Sequence, residues 1–505
     1  MAEKYILVID EGTTGTRALI VDRHSQIKGQ AYTEFTQYNP QPDRVEHDAE
    51  EIWQASLRMI QQALAQSSLT AADIAALGIT NQRATTVVWE RSTGKPITPA
   101  IVWQDTRTAS YIETIRQAWA EKAYAHTGWA LAPVYSSLSL HWILENVPGA
   151  RQKAEAGELA FGTVDSWLIY KLTGGKVHAI AASNASVTGS YDLLQDEWYA
   201  EWLDFLGVPL ALFPPVYDDS GLFGLTDPSV FGAAVPISGA IADQHAALFA
   251  QQCIEPGTVK CTHGTGTFLD MNVGSQPAIS HNGLNAIIAW RMGGRTTYGL
   301  EGYAAVTGSA VQWLRDGLRL IASSAESEAL ATGVADNGGV YFVPALTGLS
   351  APYWDSFARG LIIGITRGTT REHLVRATLE GIVYATKDFL ETMRSDSGVD
   401  IRSIKVDGGA ARNDFLMQFQ ADMLDAEVVR PLNAEATSLG AAYMAGLAVG
   451  YWENPQACFT GQQIERVFQP QMPADERARL YREWGAAVQR SMGWARKPAA
   501  GEQPA

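Results

Sequence analysis

An α/β fold in two related halves is what this sequence predicts, on three observations. The 505 residues exceed the roughly 250–300 at which a single hydrophobic core stops growing, so two domains of similar size are expected. Strand-length apolar runs alternate with stretches of helical period, the order found in α/β proteins. A unit of strand, Gly/Thr turn and strand occurs twice, about half a chain apart, and self-similarity of that kind marks repeated structural units. The boundary falls near residue 250, giving domains 1–250 and 251–505.

The elements follow in chain order. Tyr5–Ile9 is a continuous apolar run of strand length that ends at Asp10 and the turn Gly12-Thr13-Thr14-Gly15; Ala18–Val21 resumes the strand pattern. That arrangement is a hairpin signal, and a third strand is expected near Gln30–Phe35. Trp53, Leu57, Ile60 and Leu64 recur at steps of four, three and four, which predicts a helix with one buried face. Leu77–Thr80 and Thr86–Trp89 read as strands, as does Ile237–Ala242, which delivers Asp243, Gln244 and His245.

The second half opens as the first did. Val259–Thr262 leads into His263-Gly264-Thr265-Gly266-Thr267 and then Phe268–Met271. Val340–Val343 is the next expected strand. Thr369 with Glu372 has the spacing of a capping box, before a helical stripe of Leu379, Val383, Thr386, Leu390 and Met393. Ile404–Val406 runs into Asp407-Gly408-Gly409, and Lys497–Ala505 is expected to be a frayed tail.

Composition narrows the function classes. With 46% hydrophobic and 18% charged residues, the chain has the make-up of a folded globular protein. A net charge of −16 argues against general nucleic-acid affinity, which needs clustered Lys and Arg. Three cysteines without a CxxC argue against a disulfide framework or a zinc site. No apolar run reaches the roughly 18–20 residues of a membrane span, and no signal-peptide pattern precedes the first strand. A cytoplasmic protein with no membrane insertion is expected.

Several common motifs are missing: a P-loop GxxxxGK[ST], a dinucleotide GxGxxG, HExxH and GxSxG. What remains is the pair of Gly/Thr turns. Glycines let successive backbone N–H groups converge on an anion, and two such turns across a cleft could hold a polyphosphate from both sides. Each turn taken singly is also an ordinary hairpin. Asp10, at the end of its strand, has the position of a Mg²⁺ ligand or of a turn-capping Asp. Asp243, at the end of an apolar strand, has the position of a general base or of a helix N-cap.

Motifs running from Met1 to about Trp452 resemble those of the FGGY carbohydrate kinases, in particular the glycerol kinases. They are Asp10–Thr14, Thr80–Arg83, Val102–Asp105, Ala242–Gln244, Gly264–Gly266, Gln312–Asp316, Thr347–Arg367 and Asp407–Asn413. The resemblance implies two actin-like, ribonuclease-H-like domains with the catalytic cleft between them. It implies ATP and Mg²⁺ as cofactors, a small polyol or sugar as substrate, and a homo-oligomer. By motif, Asp243 would be the general base and Asp10 the metal ligand. Thr13, Thr14, Arg17, Thr265, Gly308, Gln312, Gly409 and Asn413 would contact the nucleotide. Arg83, Trp103, Asp243, Gln244 and Phe268 would hold the substrate.

Three positions depart from the glycerol kinase pattern. Ala84 stands where a Glu usually follows the Arg, leaving space in the pocket. Val134 stands where Tyr usually follows the Pro, with Tyr135 one place on as the substitute substrate contact. Glu11 replaces the usual Gln and would add negative charge near the phosphates. The stretch Pro228–Val235 lacks the Gly-rich basic loop that some bacterial members use to bind a sugar bisphosphate, and the phosphorylatable His loop of others is missing too. The resemblance implies phosphorylation of a primary hydroxyl, with glycerol as the first candidate. A tetritol, pentitol or ketopentose such as xylulose is the alternative, and a non-catalytic ATP-binding sensor or scaffold is the rival of another class.

Overall fold

A computed structural model describes residues 3–432 and 435–496; the predicted frayed tail from Lys497 lies outside them. The frame is a sheet of thirteen strands. They are β1 (Tyr5–Glu11), β2 (Gly15–Val21), β3 (Ile27–Glu34), β4 (Ile74–Asn81), β5 (Ser220–Leu225), β6 (Pro236–Ala242) and β7 (Thr258–His263). The rest are β8 (Thr267–Gly274), β9 (Asn285–Met292), β10 (Arg295–Ala304), β11 (Ser403–Asp407), β12 (Glu427–Pro431) and β13 (Ile464–Phe468). The main helices are α1 (Ala49–Ser67), α2 (Ala109–Thr127), α3 (Ser136–Asn146), α4 (Val164–Leu172), α5 (Asp243–Ala250), α6 (Arg371–Ser397), α7 (Asp414–Leu424), α8 (Ala436–Ala448) and α9 (Ala474–Ser491).

The strand order β13-β12-β11-β7-β8-β10-β9-β5-β6-β4-β1-β2-β3 contains one pattern twice. In the first half β1 pairs antiparallel with β2, β2 antiparallel with β3, β1 parallel with β4, and β4 parallel with β6. In the second, β7, β8, β10, β11 and β12 repeat those pairings in the same order. The two five-strand units meet through β9 and β5, joined by the single bridge Ser220↔Met292. The repeat inferred from two short turns is therefore a repeat of whole sheets.

Strand β1 shows why its sequence is apolar at every position. Leu7 and Ile9 face a core with Ile52, Trp53 and Trp167, while Ile6 and Val8 face another with Leu439, Tyr443 and Trp452. A sheet covered on both faces needs a continuous apolar run rather than alternation. Among the first three expected strands, the third is longer than read, Ile27–Glu34. The strand read at Thr86–Trp89 is Val87–Glu90, and it pairs outside the main sheet with Leu159–Gly162.

Two expectations are corrected. Helix α6 is capped one residue later than the spacing indicated. Thr370 is its N-cap, and His373 closes the box by accepting the Thr370 N–H at 3.1 Å. Thr369 instead accepts from the Thr366 N–H. The second half is also not a separate packing unit. Helix α8 lies on β6, β4 and β1 of the first sheet and against α5, so residues 436–459 complete the first domain's second core. The contact is built from small residues. A Cβ on Gly440 would overlap the Ala246 carbonyl, and Cβ atoms on Gly78 and Gly239 would overlap the backbone of Ala441 and Ala445.

Candidate active site

Both predicted hairpins close as read. Gly12 N–H donates to the Gly15 carbonyl at 3.0 Å, and Gly264 N–H to the Gly266 carbonyl at 2.9 Å. Each is braced in the same way from below. Glu11, at the end of β1, accepts from the Thr16 hydroxyl at 2.8 Å; His263, at the end of β7, pairs with the Thr267 hydroxyl at 2.9 Å.

Glu11 is thereby explained, and the expectation of extra negative charge is corrected. The side chain is fully buried and also accepts from Ser56 at 3.2 Å. Burial pushes its carboxyl up to about 8, against those two hydrogen bonds, so it is largely protonated at neutral pH. Gln, the neutral isostere, is expected to keep stability within about 1 kcal/mol, whereas Glu11→Ala should cost about 2–3 kcal/mol by leaving the buried Thr16 hydroxyl unpaired beside a void, the Ser56 hydroxyl keeping the Ile52 carbonyl at 3.0 Å. Urea unfolding of both variants checks this; an equal loss for Gln would mean that the carboxylate is charged.

The second turn opens onto a cavity of about 520 Å³. Thr265, Gly308, Gln312, Gly409 and Asn413 all line it, so five of the eight residues assigned to the nucleotide converge. Asn413 caps α7 by accepting the Leu416 N–H at 2.9 Å. The other three, Thr13, Thr14 and Arg17, belong to the first hairpin. Arg17 is ion-paired with Glu435, and Asp10 accepts from Ser438, both partners at the start of α8.

Asp10 suits a magnesium ion carried by phosphates. Burial raises its carboxyl to about 6, opposed by the Ser438 hydrogen bond and Arg17, and a cation would relieve that burial. Among the described residues no group of three or more His, Cys, Asp or Glu could hold a metal.

The residues read as substrate contacts draw on both halves. Arg83, after β4, donates to Glu301 of β10 at 2.5 Å and lies 3.5 Å from Asp243 Oδ1. Asp243 is the first residue of α5, after Ala242 at the N-cap position, and its Oδ1 accepts the Gln244 N–H at 2.7 Å. Its side chain is 29% exposed, and burial raises its carboxyl above the usual range, with Arg83 opposing. Buried Lys260 donates to Gln244 Oε1 at 2.6 Å and to Asp270 at 2.9 Å. With its oxygen so occupied, the Gln244 amide has its NH₂ donors left for a ligand. Phe268 packs on Tyr303, ring centroids 4.4 Å apart, and exposed Trp103 donates to the Thr13 hydroxyl at 3.0 Å.

Tyr135 is not a substrate contact. It is wholly buried, its hydroxyl donating to the Trp129 carbonyl at 2.5 Å and pairing with Thr127 at 3.0 Å. Its ring lies against Gly189, where any Cβ would overlap it. Ala84 does not border open space: it is 3% exposed, in a left-handed conformation (φ 58°), with its carbonyl held by the Ser136 hydroxyl. Sequence reasoning missed Glu301, Lys260, Ser438 and Glu435. Glu301 and Lys260 lie on strands whose partners are set by topology, and nothing local marks them.

Residues 5–250 match the N-terminal domain of the FGGY family of carbohydrate kinases and residues 259–449 its C-terminal domain. The chain is 50% identical over 495 residues to glycerol kinase 2 of Thermotoga maritima, covering 98% of this chain and 100% of that one. It is 51% identical over 496 residues to the glycerol kinase of Carboxydothermus hydrogenoformans, covering 98% and 99%. The crystal structure of Plasmodium falciparum glycerol kinase with ADP superposes with a TM-score of 0.92 at 32% identity, over 97% of this chain and 98% of that one. A xylulose kinase from Lactobacillus acidophilus, at 21% identity and TM-score 0.85 over 96% and 97%, shares the fold.

Proposed function

The chain belongs to the FGGY family of carbohydrate kinases, and from that premise we propose that it transfers the γ-phosphoryl group of ATP to a primary hydroxyl of glycerol. The observation that carries this reading is the junction at Asp243. A partly exposed carboxylate of raised basicity stands beside Arg83 and within electrostatic reach of Asp10 at the first hairpin, in a chain whose second hairpin opens onto a nucleotide-sized cavity.

In this reading the cavity takes the nucleoside, and the two turns take the phosphates through their N–H groups and threonine hydroxyls. Arg83 and the Gln244 amide orient the acceptor hydroxyls. Asp243 accepts the proton of the attacking hydroxyl as its oxygen bonds to the γ-phosphorus, the β–γ bridging bond breaks, and ADP leaves. Mg²⁺, held at Asp10, would neutralise charge on the β- and γ-phosphate oxygens when bound. Closure of the two halves keeps water out of the attack position.

Glycerol is favoured over a four- or five-carbon polyol by the names of the relatives at 50% identity. The second reading rests on Val134, since an apolar wall discriminates less than a hydrogen-bonding one; Ala84 is buried and borders no open space. The test compares kcat/KM for glycerol, erythritol, xylitol and xylulose with ATP and Mg²⁺. Glycerol is expected to lead, and a higher value for any of the others would replace it as the substrate.

A further inference from the structure

The internal repeat extends to two side chains that the motif reading did not use. In each half the third strand of the unit, β3 or β10, runs beside the hairpin and carries a tyrosine next to the second glycine of the turn. A Cβ placed on Gly15 would lie 2.7 Å from Tyr32 Oη and 2.9 Å from Tyr32 Cε2; one placed on Gly266 would lie 3.0 Å from Tyr303 Oη and 2.8 Å from Tyr303 Cε2. The registers correspond as well. Tyr32 is opposite Arg17, the second residue after Gly15, and Tyr303 is opposite Phe268, the second after Gly266.

Packing alone does not account for these residues. Tyr32 is 50% exposed and Tyr303 42% exposed, so each leaves a large apolar ring half in water. Neither hydroxyl has a hydrogen-bond partner among the described residues, although other tyrosine hydroxyls, such as those of Tyr135 and Tyr481, are tied to protein groups. The absent Cβ of each glycine makes room for the neighbouring strand's carbonyl, Thr33 or Ala304, and for the phenol beside it. Their neighbours are also those of a phosphoryl site. The Arg17 guanidinium sits 5.7 Å from the centre of the Tyr32 ring, and Tyr303 lies between the second turn and Phe268 on the acceptor side.

We propose that Tyr32 and Tyr303 are a matched pair of phosphate ligands, one per hairpin, whose hydroxyls donate to non-bridging oxygens of the ATP phosphate chain. The proposal rests on the kinase reading above. A neutral hydroxyl held at a turn made of backbone N–H groups adds a donor without adding charge, and a donor to a charged phosphate oxygen is among the stronger hydrogen bonds. Tyr303, next to the acceptor wall, serves the transferred γ-phosphoryl group. Tyr32, next to Arg17, serves the phosphates held by the first turn.

Tyr32→Phe and Tyr303→Phe keep the ring against its glycine and remove only the hydroxyl. Each is expected to lower kcat/KM for ATP about tenfold, and the double variant about a hundredfold. Calorimetric titration of the full-length protein with MgATP and with adenosine separates the roles. Affinity for MgATP should fall in the variants while adenosine affinity and the unfolding midpoint of the free protein stay unchanged. Variants within twofold of the parent for both turnover and MgATP affinity would overturn the proposal and leave the kinase reading intact, since the parent supplies the turnover. A parent that binds MgATP but phosphorylates none of the polyols would sink the kinase reading instead, and the titrations would still decide the tyrosines. Loss of adenosine binding equal to the loss of MgATP binding would mean a general distortion and overturn the assignment.

Discussion

Asp243→Asn is expected to lower kcat by on the order of 10²–10⁴, the range for a positioned general base, with little change in nucleotide affinity or unfolding midpoint. The asparagine keeps the size of the side chain and an oxygen that can accept from the Gln244 N–H, now 2.7 Å from Asp243 Oδ1. It cannot take a proton from the acceptor hydroxyl. It also removes the negative charge that faces Arg83, although Glu301 still holds that guanidinium at 2.5 Å, so Arg83 remains in place. The loss should therefore fall on turnover, with KM for MgATP nearly constant. Steady-state kinetics with saturating polyol, together with a nucleotide titration, reads both quantities. Normal turnover in the variant would remove Asp243 from the chemistry and make it only the first residue of its helix.

Gly440→Val is expected to cost the protein about 3 kcal/mol of stability or prevent folding outright, the upper end of what overpacking does. The glycine lies where α8 crosses α5, and the first side-chain atom would already overlap the Ala246 carbonyl. Backbone, unlike a flexible side chain, cannot step aside. Moving α8 instead would drag Ala441 and Ala445 off Gly78 and Gly239, and with them Ser438 off Asp10. Gly440→Ala should show the same defect in milder form. Urea midpoints with an unchanged m-value would report it, and a midpoint equal to the parent's would mean that the helix pair has slack the contacts do not show.

The parts of the fold legible in the sequence were those whose cause is local. A Gly/Thr turn between apolar runs forms a hairpin wherever it occurs, so Gly12–Gly15 and Gly264–Gly266 could be placed, and their repetition indicated two related halves. Thr265, Gly308, Gly409 and Asn413 converge on one cavity, and each sits at a turn or helix start that the chain itself specifies. What could not be read was pairing across distance. Glu301 meets Arg83 only because β10 and the end of β4 come to the same cleft, over 200 residues apart in the chain. Glu11 read as extra negative charge near the phosphates, but its bond with Ser56 from α1 shows that it points into a core. Tyr135 looked like a polar handle because tyrosines often are, and the Trp129 carbonyl takes its hydroxyl instead. Thr369 and Thr370 offer the same chemistry one residue apart, and spacing alone chose the wrong one.

The return of α8 to the first sheet makes the two halves of the gene product poor candidates for separate expression. A fragment ending near residue 250 would bare the face of Ile6, Val8, Leu19 and Val21, which is covered by Leu439, Tyr443, Met444 and Trp452. A fragment beginning there would carry that helix with nothing to lie against. The chain is threaded so that its last third closes the structure its first third began. Completion of the amino-terminal sheet's packing must therefore wait on residues made some 400 positions later, with an apolar surface to be shielded in the meantime.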